Sequence, residues 1–165
     1  MVGYEIELKN FDEQAARLKA EPAMVNQEFT VAMNQSVLTA VGQVRPLTPV
    51  FQSRLRGSIG GTVTSDGLGS VVGTVGSSLS GEVYPSVMEF GRTAGSMPPT
   101  TGALRRWVEI KLGDASLVFV VARAIAKKGI KGKEFMKRGG EAARGAVEGF
   151  FAAAVERIAN RLAGK

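Results

Sequence analysis

Apolar residues recur along this chain with two different periods. Val2, Tyr4, Ile6 and Leu8 alternate with Gly3, Glu5, Glu7 and Lys9, the period of two that turns one face of a strand into a core. Asn10 follows as a helix cap, with Glu13 placed to reach back to its N–H, and a short helix is predicted to about Ala20. From Pro22 the period changes. Val25, Phe29, Ala32, Met33, Val37, Ala40, Val41 and Val44 repeat at three and four residues, which predicts one long helix over 22–44 with a single apolar stripe. Asn26, Gln27, Thr30 and Asn34 occupy its other side. Pro22 suits the first turn, where its missing N–H costs nothing, and Pro46 and Pro49 end the helix.

The period of two returns in a stretch rich in Gly, Ser and Thr, from Gly57 to Gly81. Ile59 and Val63, then Val71, Gly73 and Val75, alternate with small residues around the turn signal Ser65-Asp66-Gly67-Leu68-Gly69, which predicts a β-hairpin. Strands of small residues have a weakly specified register and invite pairing with another chain, so Ile59, Val63, Val71 and Val75 are candidate interface residues. Beyond the hairpin, Tyr84-Pro85 opens a short helical turn ending near Gly91, and a loop runs from Arg92 to Pro99. Leu104, Trp107, Val108 and Leu112 are spaced for one helix, and Leu117, Val120, Val121, Ala124 and Ile125 for another. Gly129 to Gly132 breaks the pattern. The last helix is predicted from about Glu134 to Leu162, with Phe135, Ala143, Val147, Phe150, Phe151, Ala154, Ile158 and Leu162 on one side. Gly139, Gly140, Gly145 and Gly149 weaken its first half by about 1 kcal/mol each relative to Ala, a pattern that goes with close packing or a bend.

Composition narrows the chemistry. The 165 residues, 44 % of them hydrophobic, suit a single domain over 1–165 with a modest core. There is no cysteine and no histidine, which removes thiolate–metal frameworks, the Ser-His-Asp and Cys-His arrangements, and the commonest general base near neutral pH. Asp, Glu, Lys and Tyr could still serve an enzyme, but Glu82 and Glu89 beside Tyr84 are joined by no converging group, and no acid cluster has metal-ligand spacing. No cofactor, metal or catalytic residue is expected, and Glu89 reads as an interface or capping residue. The Gly-rich hairpin lacks the fixed glycine spacing of a phosphate cradle. No targeting signal is evident, and the longest apolar run, Leu117–Ala122, falls far short of the ~20 residues that span a bilayer. A protein made in a reducing cytoplasm, with no membrane partner, is expected.

The net charge of +6 is unevenly placed. Residues 1–99 hold 7 Lys+Arg against 9 Asp+Glu, and residues 100–165 hold 14 against 6. Lys127, Lys128, Lys131, Lys133, Lys137 and Arg138 form a run broken by one acid, Glu134. Such a run could neutralise DNA phosphates, yet Phe135 is its one aromatic and no base-reading element accompanies it. An acidic protein neighbour fits at least as well, and a solvated turn is the plain alternative.

Three stretches together carry a family likeness. The first is Arg45-Pro46-Leu47-Thr48-Pro49-Val50-Phe51-Gln52-Ser53-Arg54-Leu55-Arg56-Gly57-Ser58-Ile59, a Pro-containing helix exit that leads through a basic residue and Leu into a strand. The second is Val83-Tyr84-Pro85-Ser86-Val87-Met88-Glu89-Phe90-Gly91-Arg92, trailed by Met97-Pro98-Pro99. The third is Trp107-Val108 with Lys111-Leu112-Gly113, then Ala124-Ile125-Ala126-Lys127-Lys128-Gly129-Ile130-Lys131-Gly132 leading into Phe135-Met136. In order and spacing they resemble the neck proteins of tailed bacteriophages, the head–tail connector or tail-completion family, although Gln52-Ser53 stands for the family's Thr-Gly, Pro85 for its Ala and Arg92 for its Thr.

The resemblance implies a small α+β protein, not an enzyme. Its small antiparallel sheet, the N-terminal strand plus the Gly-rich hairpin, would be packed by the long N-terminal and C-terminal helices. It implies a homo-oligomeric ring in the virion that completes the tail and joins it to the head-side connector. The ring's partners would be connector or stopper, tail-terminator or tail-tube proteins. DNA would pass through its channel without specific recognition. A tail-terminator ring, or a DNA-binding or packaging accessory, is the alternative. Leu55, Tyr84, Glu89, Phe90, Gly91, Trp107 and Phe135 would be scaffold positions, with Tyr84 and Phe90 packing the short helix on the sheet and Gly91 making a left-handed turn. Arg92, Met97 and the basic run join the hairpin residues as candidate interface, the basic run facing a protein because a strongly basic lumen would hold sliding DNA.

Overall fold

A computed structural model of the chain describes residues 21–50, 53–67, 70–79 and 82–164. The strand and short helix predicted within 1–20 lie outside the described residues. In chain order the elements are helix α1 (Pro22–Leu47), the short helix α2 (Arg54–Ser58), strands β1 (Ile59–Ser65) and β2 (Val71–Ser77), and helix α3 (Tyr84–Phe90). Then follow strand β3 (Gly91–Arg92), helix α4 (Thr101–Leu112), a 3₁₀ turn (Ala115–Leu117), helix α5 (Val118–Lys128), strand β4 (Ile130–Lys131) and helix α6 (Phe135–Leu162). The fold is α+β, with two long helices and, among the described residues, two small two-stranded antiparallel sheets, β1–β2 and β3–β4. Among the described residues, no helix is long and apolar enough to cross a membrane.

The described residues gather into two compact units. One draws on 21–40, 61–67, 70–75 and 143–164, the other on 41–50, 53–60, 76–79 and 82–142. Their charges differ sharply. The described part of the first holds 3 Lys+Arg and 5 Asp+Glu, and the second holds 14 and 6.

In the first unit the predicted stripe of α1 points inward. Ala32 and Val37 are buried, and Val25, Phe29, Met33 and Ala40 are half-buried. Phe29 meets Phe151 of α6 with ring centroids 6.1 Å apart, a tilted aromatic contact. Ala143, Ala154 and Ile158, all on the predicted side of α6, are buried. At Gly73, β2 comes so close to α1 that a Cβ would lie 2.5 Å from Met33 Sδ and 2.7 Å from Val37 Cγ2. Val71 and Val75 share that face by the period of two, and both are half-buried. The hairpin pairs as its turn predicts. Asp66 N–H donates to the Ser70 carbonyl at 3.2 Å and Ser78 N–H to the Ser58 carbonyl at 2.9 Å, both pairs equidistant from position 68. The Asp66 carboxylate accepts from Ser70 N–H at 3.0 Å, closing the turn.

In the second unit the core is Val44, Leu55, Ile59, Val108, Val118, Ala122 and Phe135. α1 runs one turn further than its prolines predict, to Leu47, and Thr48 then closes the end by donating its N–H and hydroxyl to the Val44 carbonyl. The Arg45 guanidinium donates twice to the Ile59 carbonyl, at 2.8 and 3.1 Å, and ties α1 to the start of β1. At Gly139 of α6 the close packing inferred from its glycines is present, since a Cβ there would lie 2.4 Å from Val44 Cγ2 and 2.8 Å from Val44 Cα. For α5 the predicted inward set is rotated. Val118 and Ala122 are buried, whereas Val120 and Ala124 face outward. Val121 and Ile125 of the predicted set are half-buried, so the inward side is centred on Val118, Val121, Ala122 and Ile125, and the 3₁₀ turn holds Leu117 outside the helix.

Candidate functional site

Two segments about forty residues apart in the chain interlock in the second unit. β3 pairs antiparallel with β4, Gly91 opposite Lys131 and Arg92 opposite Ile130. Three glycines make this possible. A Cβ at Gly91 would sit 2.4 Å from the Ile130 carbonyl oxygen, at Gly129 2.4 Å from that of Arg92, and at Gly132 2.4 Å from that of Glu89. Gly91 (φ 84°, ψ −165°) and Gly129 (φ 73°, ψ −171°) also occupy backbone conformations that are essentially reserved for glycine. The sequence reading placed a left-handed turn at Gly91. The positive φ is there, but the backbone is extended, because Gly91 enters a strand.

The junction continues into the start of α6. Lys133 N–H donates to the Met88 carbonyl at 2.8 Å and Glu134 N–H to the Glu89 carbonyl at 3.1 Å. The Glu89 side chain, buried, accepts from Met136 N–H at 2.9 Å and Lys137 N–H at 3.2 Å. A carboxylate placed so satisfies two of the orphan donors of the α6 N-terminus and complements its dipole. Of the two roles expected for Glu89, the structure places it in the capping one. Its cap acts across the fold, from 47 residues away, where sequence rules look only to neighbours.

The other family-matched residues divide. Leu55 and Phe135 are core. Tyr84 is half-buried, and burial pushes its phenol up from the ordinary value. Phe90 does not pack on the sheet as expected: it is 83 % exposed, while the inward position at the end of α3 is taken by the buried Glu89. Trp107 is partly exposed, while its neighbour Val108 is buried.

The candidate interface residues divide as well. Ile59 is 0 % exposed and belongs to the core, so it offers no docking surface. Val63, Val71 and Val75 are half-buried, and on β2 the outward position is Val72 instead. Arg92 is half-buried and donates to the Met97 carbonyl, fixing a loop that exposes Met97 at 82 %. Lys127, Lys128, Lys131, Lys133, Lys137 and Arg138 are all exposed, and the structure gathers them around the junction, at the end of α5, on β4 and at the start of α6. Of these six, Lys137 alone has a carboxylate partner among the described residues, Glu134 at 3.8 Å.

Four large apolar residues on α4 and at the start of α5 are exposed, Ile110, Leu112, Phe119 and Val120; Leu112 and Val120 belong to the stripes the spacing predicts, and Ile110 and Phe119 fall outside them. Among the described residues, no group of three or more His, Cys, Asp or Glu could hold a metal ion. A shallow open hollow on α4, lined by Gly102, Arg105, Arg106, Glu109 and Ile110, gathers one carboxylate with two guanidinium groups. No family model, curated protein or solved structure matches the chain.

Proposed function

We propose that this chain is a structural subunit of the phage neck, forming a ring that completes the tail and joins it to the head-side connector. The observation that carries the reading is the glycine junction. The second and third stretches of family likeness, distant in sequence, become one interlocked unit whose glycines are dictated by backbone contact. Exposed large apolar residues on α4 and α5, the adjacent Phe119 and Val120 among them, support an assembly role, since outward apolar side chains can serve as interaction surface. The ring is held by burial between neighbouring copies, and charge complementarity guides docking.

Quantitative mass spectrometry of purified particles tests this. The expected result is a fixed, ring-like copy number in tailed particles and tails that fail to join heads when the gene is deleted. Absence of the protein from particles would sink the reading. The cations at Lys127, Lys128, Lys131, Lys133 and Arg138 favour a second reading, a DNA-binding or packaging accessory. That reading requires duplex affinity to fall steeply with salt, about one logarithmic unit per phosphate contact for each tenfold rise in salt. In the neck reading this segment meets protein, and such binding is weak.

A further inference from the structure

The outward side of α5 changes character along its length. Phe119 and Val120, at its start, are 70 % and 65 % exposed, and Arg123 and Lys127 follow on the same side, both exposed. The other side is the one that packs, through Val118 and Ala122. None of the ion pairs among the described residues involves Arg123 or Lys127.

The outward side of α6 carries the converse order. Opposite the buried Ala143, Ala154 and Ile158 it presents Glu141 and Glu148, then Ala152 and Val155, the last 55 % exposed. Lys137 and Arg138 precede Glu141 on this side, Arg144 flanks the two acids and Glu156 follows Val155, so the stretch of this side from Glu141 to Glu156 is net acidic. Gly145 and Gly149 lie on it, and a Cβ at either would meet nothing within 4 Å. At Gly139 the contact with Val44 offsets the cost of a helical glycine, about 1 kcal/mol relative to Ala. At Gly145 and Gly149 the described fold supplies no such contact.

We propose that α5 of one copy docks antiparallel along the outward side of α6 of the next copy. From N to C, α5 runs from apolar to cationic and α6 from acidic to apolar, so only the antiparallel alignment matches both halves at once. It sets Val120 against Val155 and Ala152, and Lys127 against Glu148. The intervals agree: Val120 to Lys127 and Glu148 to Val155 each span seven residues, about 10 Å of helix. The glycines of α6 leave a groove into which the bulkier α5 side chains fit as a ridge. The two faces are different surfaces of the subunit, so the contact is head-to-tail and repeats until a ring closes. This interface rests on the ring reading above and names the surfaces that would build it.

The chain has no cysteine, which makes disulfide trapping a clean test. With the full-length V120C/A152C protein under mild oxidation, the expected result is a ladder of cross-linked multimers on a non-reducing gel, while V120C alone gives none. Charge reversal provides the second readout, by sedimentation at several protein concentrations. K127E and E148K should each weaken self-association about tenfold or more, and the K127E/E148K double variant should restore it. All four positions are exposed, so unchanged circular dichroism is expected. No ladder, a V120C ladder as strong as that of the double variant, or association indifferent to both reversals would overturn the interface. The neck reading is tested separately by particle composition, so either can fail alone.

Discussion

The two compact units are held together by different means, and the contrast shows where this fold can absorb change. In the second, backbone meets backbone: three glycines let β3 and β4 pass within van der Waals contact, and Glu89 caps α6 from across the junction. In the first, side chains do the joining. Met33 and Val37 close on Gly73, Phe29 meets Phe151, and the buried Glu28 accepts from Arg157 at 2.7 Å and pairs with Arg161 at 3.0 Å. A flexible side chain can move aside for an added methyl group, whereas a carbonyl fixed in a strand pair cannot.

The largest expected effect separates the two kinds of glycine. Gly91→Ala and Gly129→Ala add a clash with a backbone oxygen to a disfavoured backbone conformation, and each should destabilise by about 3 kcal/mol or more. Gly73→Ala, which displaces the end of Met33 and crowds Val37, should cost about 1–2 kcal/mol. Urea unfolding of the three variants checks the ordering, and equal losses at Gly73 and Gly91 would erase the distinction.

Next in size is the cap. Glu89→Ala leaves the Met136 and Lys137 N–H groups without their acceptor and should cost about 2 kcal/mol. Glu89→Gln keeps one acceptor oxygen and should lose about half of that. Thermal melts of both variants give the comparison.

The first unit should answer to acid. The hydrogen bond from Arg157 holds the Glu28 carboxyl below its ordinary range, and the charges of Arg161 and Arg157 add to this against the opposing effect of desolvation. A carboxyl with a lowered folded pKa contributes stability above its unfolded value, about 4.3, and loses it as pH falls through the lower folded value. The Tm difference between wild type and Glu28→Gln should therefore be constant near neutral pH and shrink below about pH 4.3. A difference that grows on acidification would contradict the pairing. The smallest effect is expected at Phe90→Ala, within about 0.5 kcal/mol of wild type, because this motif residue is exposed.

Much of the architecture was legible from spacing. The stripe of α1, the inward side of α6 and the hairpin with its Asp66 turn follow from periods of 3.6 and 2 and from turn chemistry. The junction was legible only as two fragments. Gly91 read as the end of a helix and Gly129 to Gly132 as a break, because nothing local says that they touch. The inward side of α5 was only partly legible: an all-apolar run from Leu117 to Ala122 fits more than one helical face, and packing selects Val118 and Ala122. The candidate interface was half legible. Charge located the basic segment on the surface, but the small-residue strand pattern offered Ile59 as interface, and tertiary packing buries it.

The neck assignment is tested most directly by electron cryomicroscopy of intact particles at the head–tail joint. The expected result is a closed ring of this chain there, with Lys127, Lys128, Lys131, Lys133, Lys137 and Arg138 against protein and away from the channel axis. A joint that lacks the chain, or a ring with these residues lining the lumen against DNA, would contradict it.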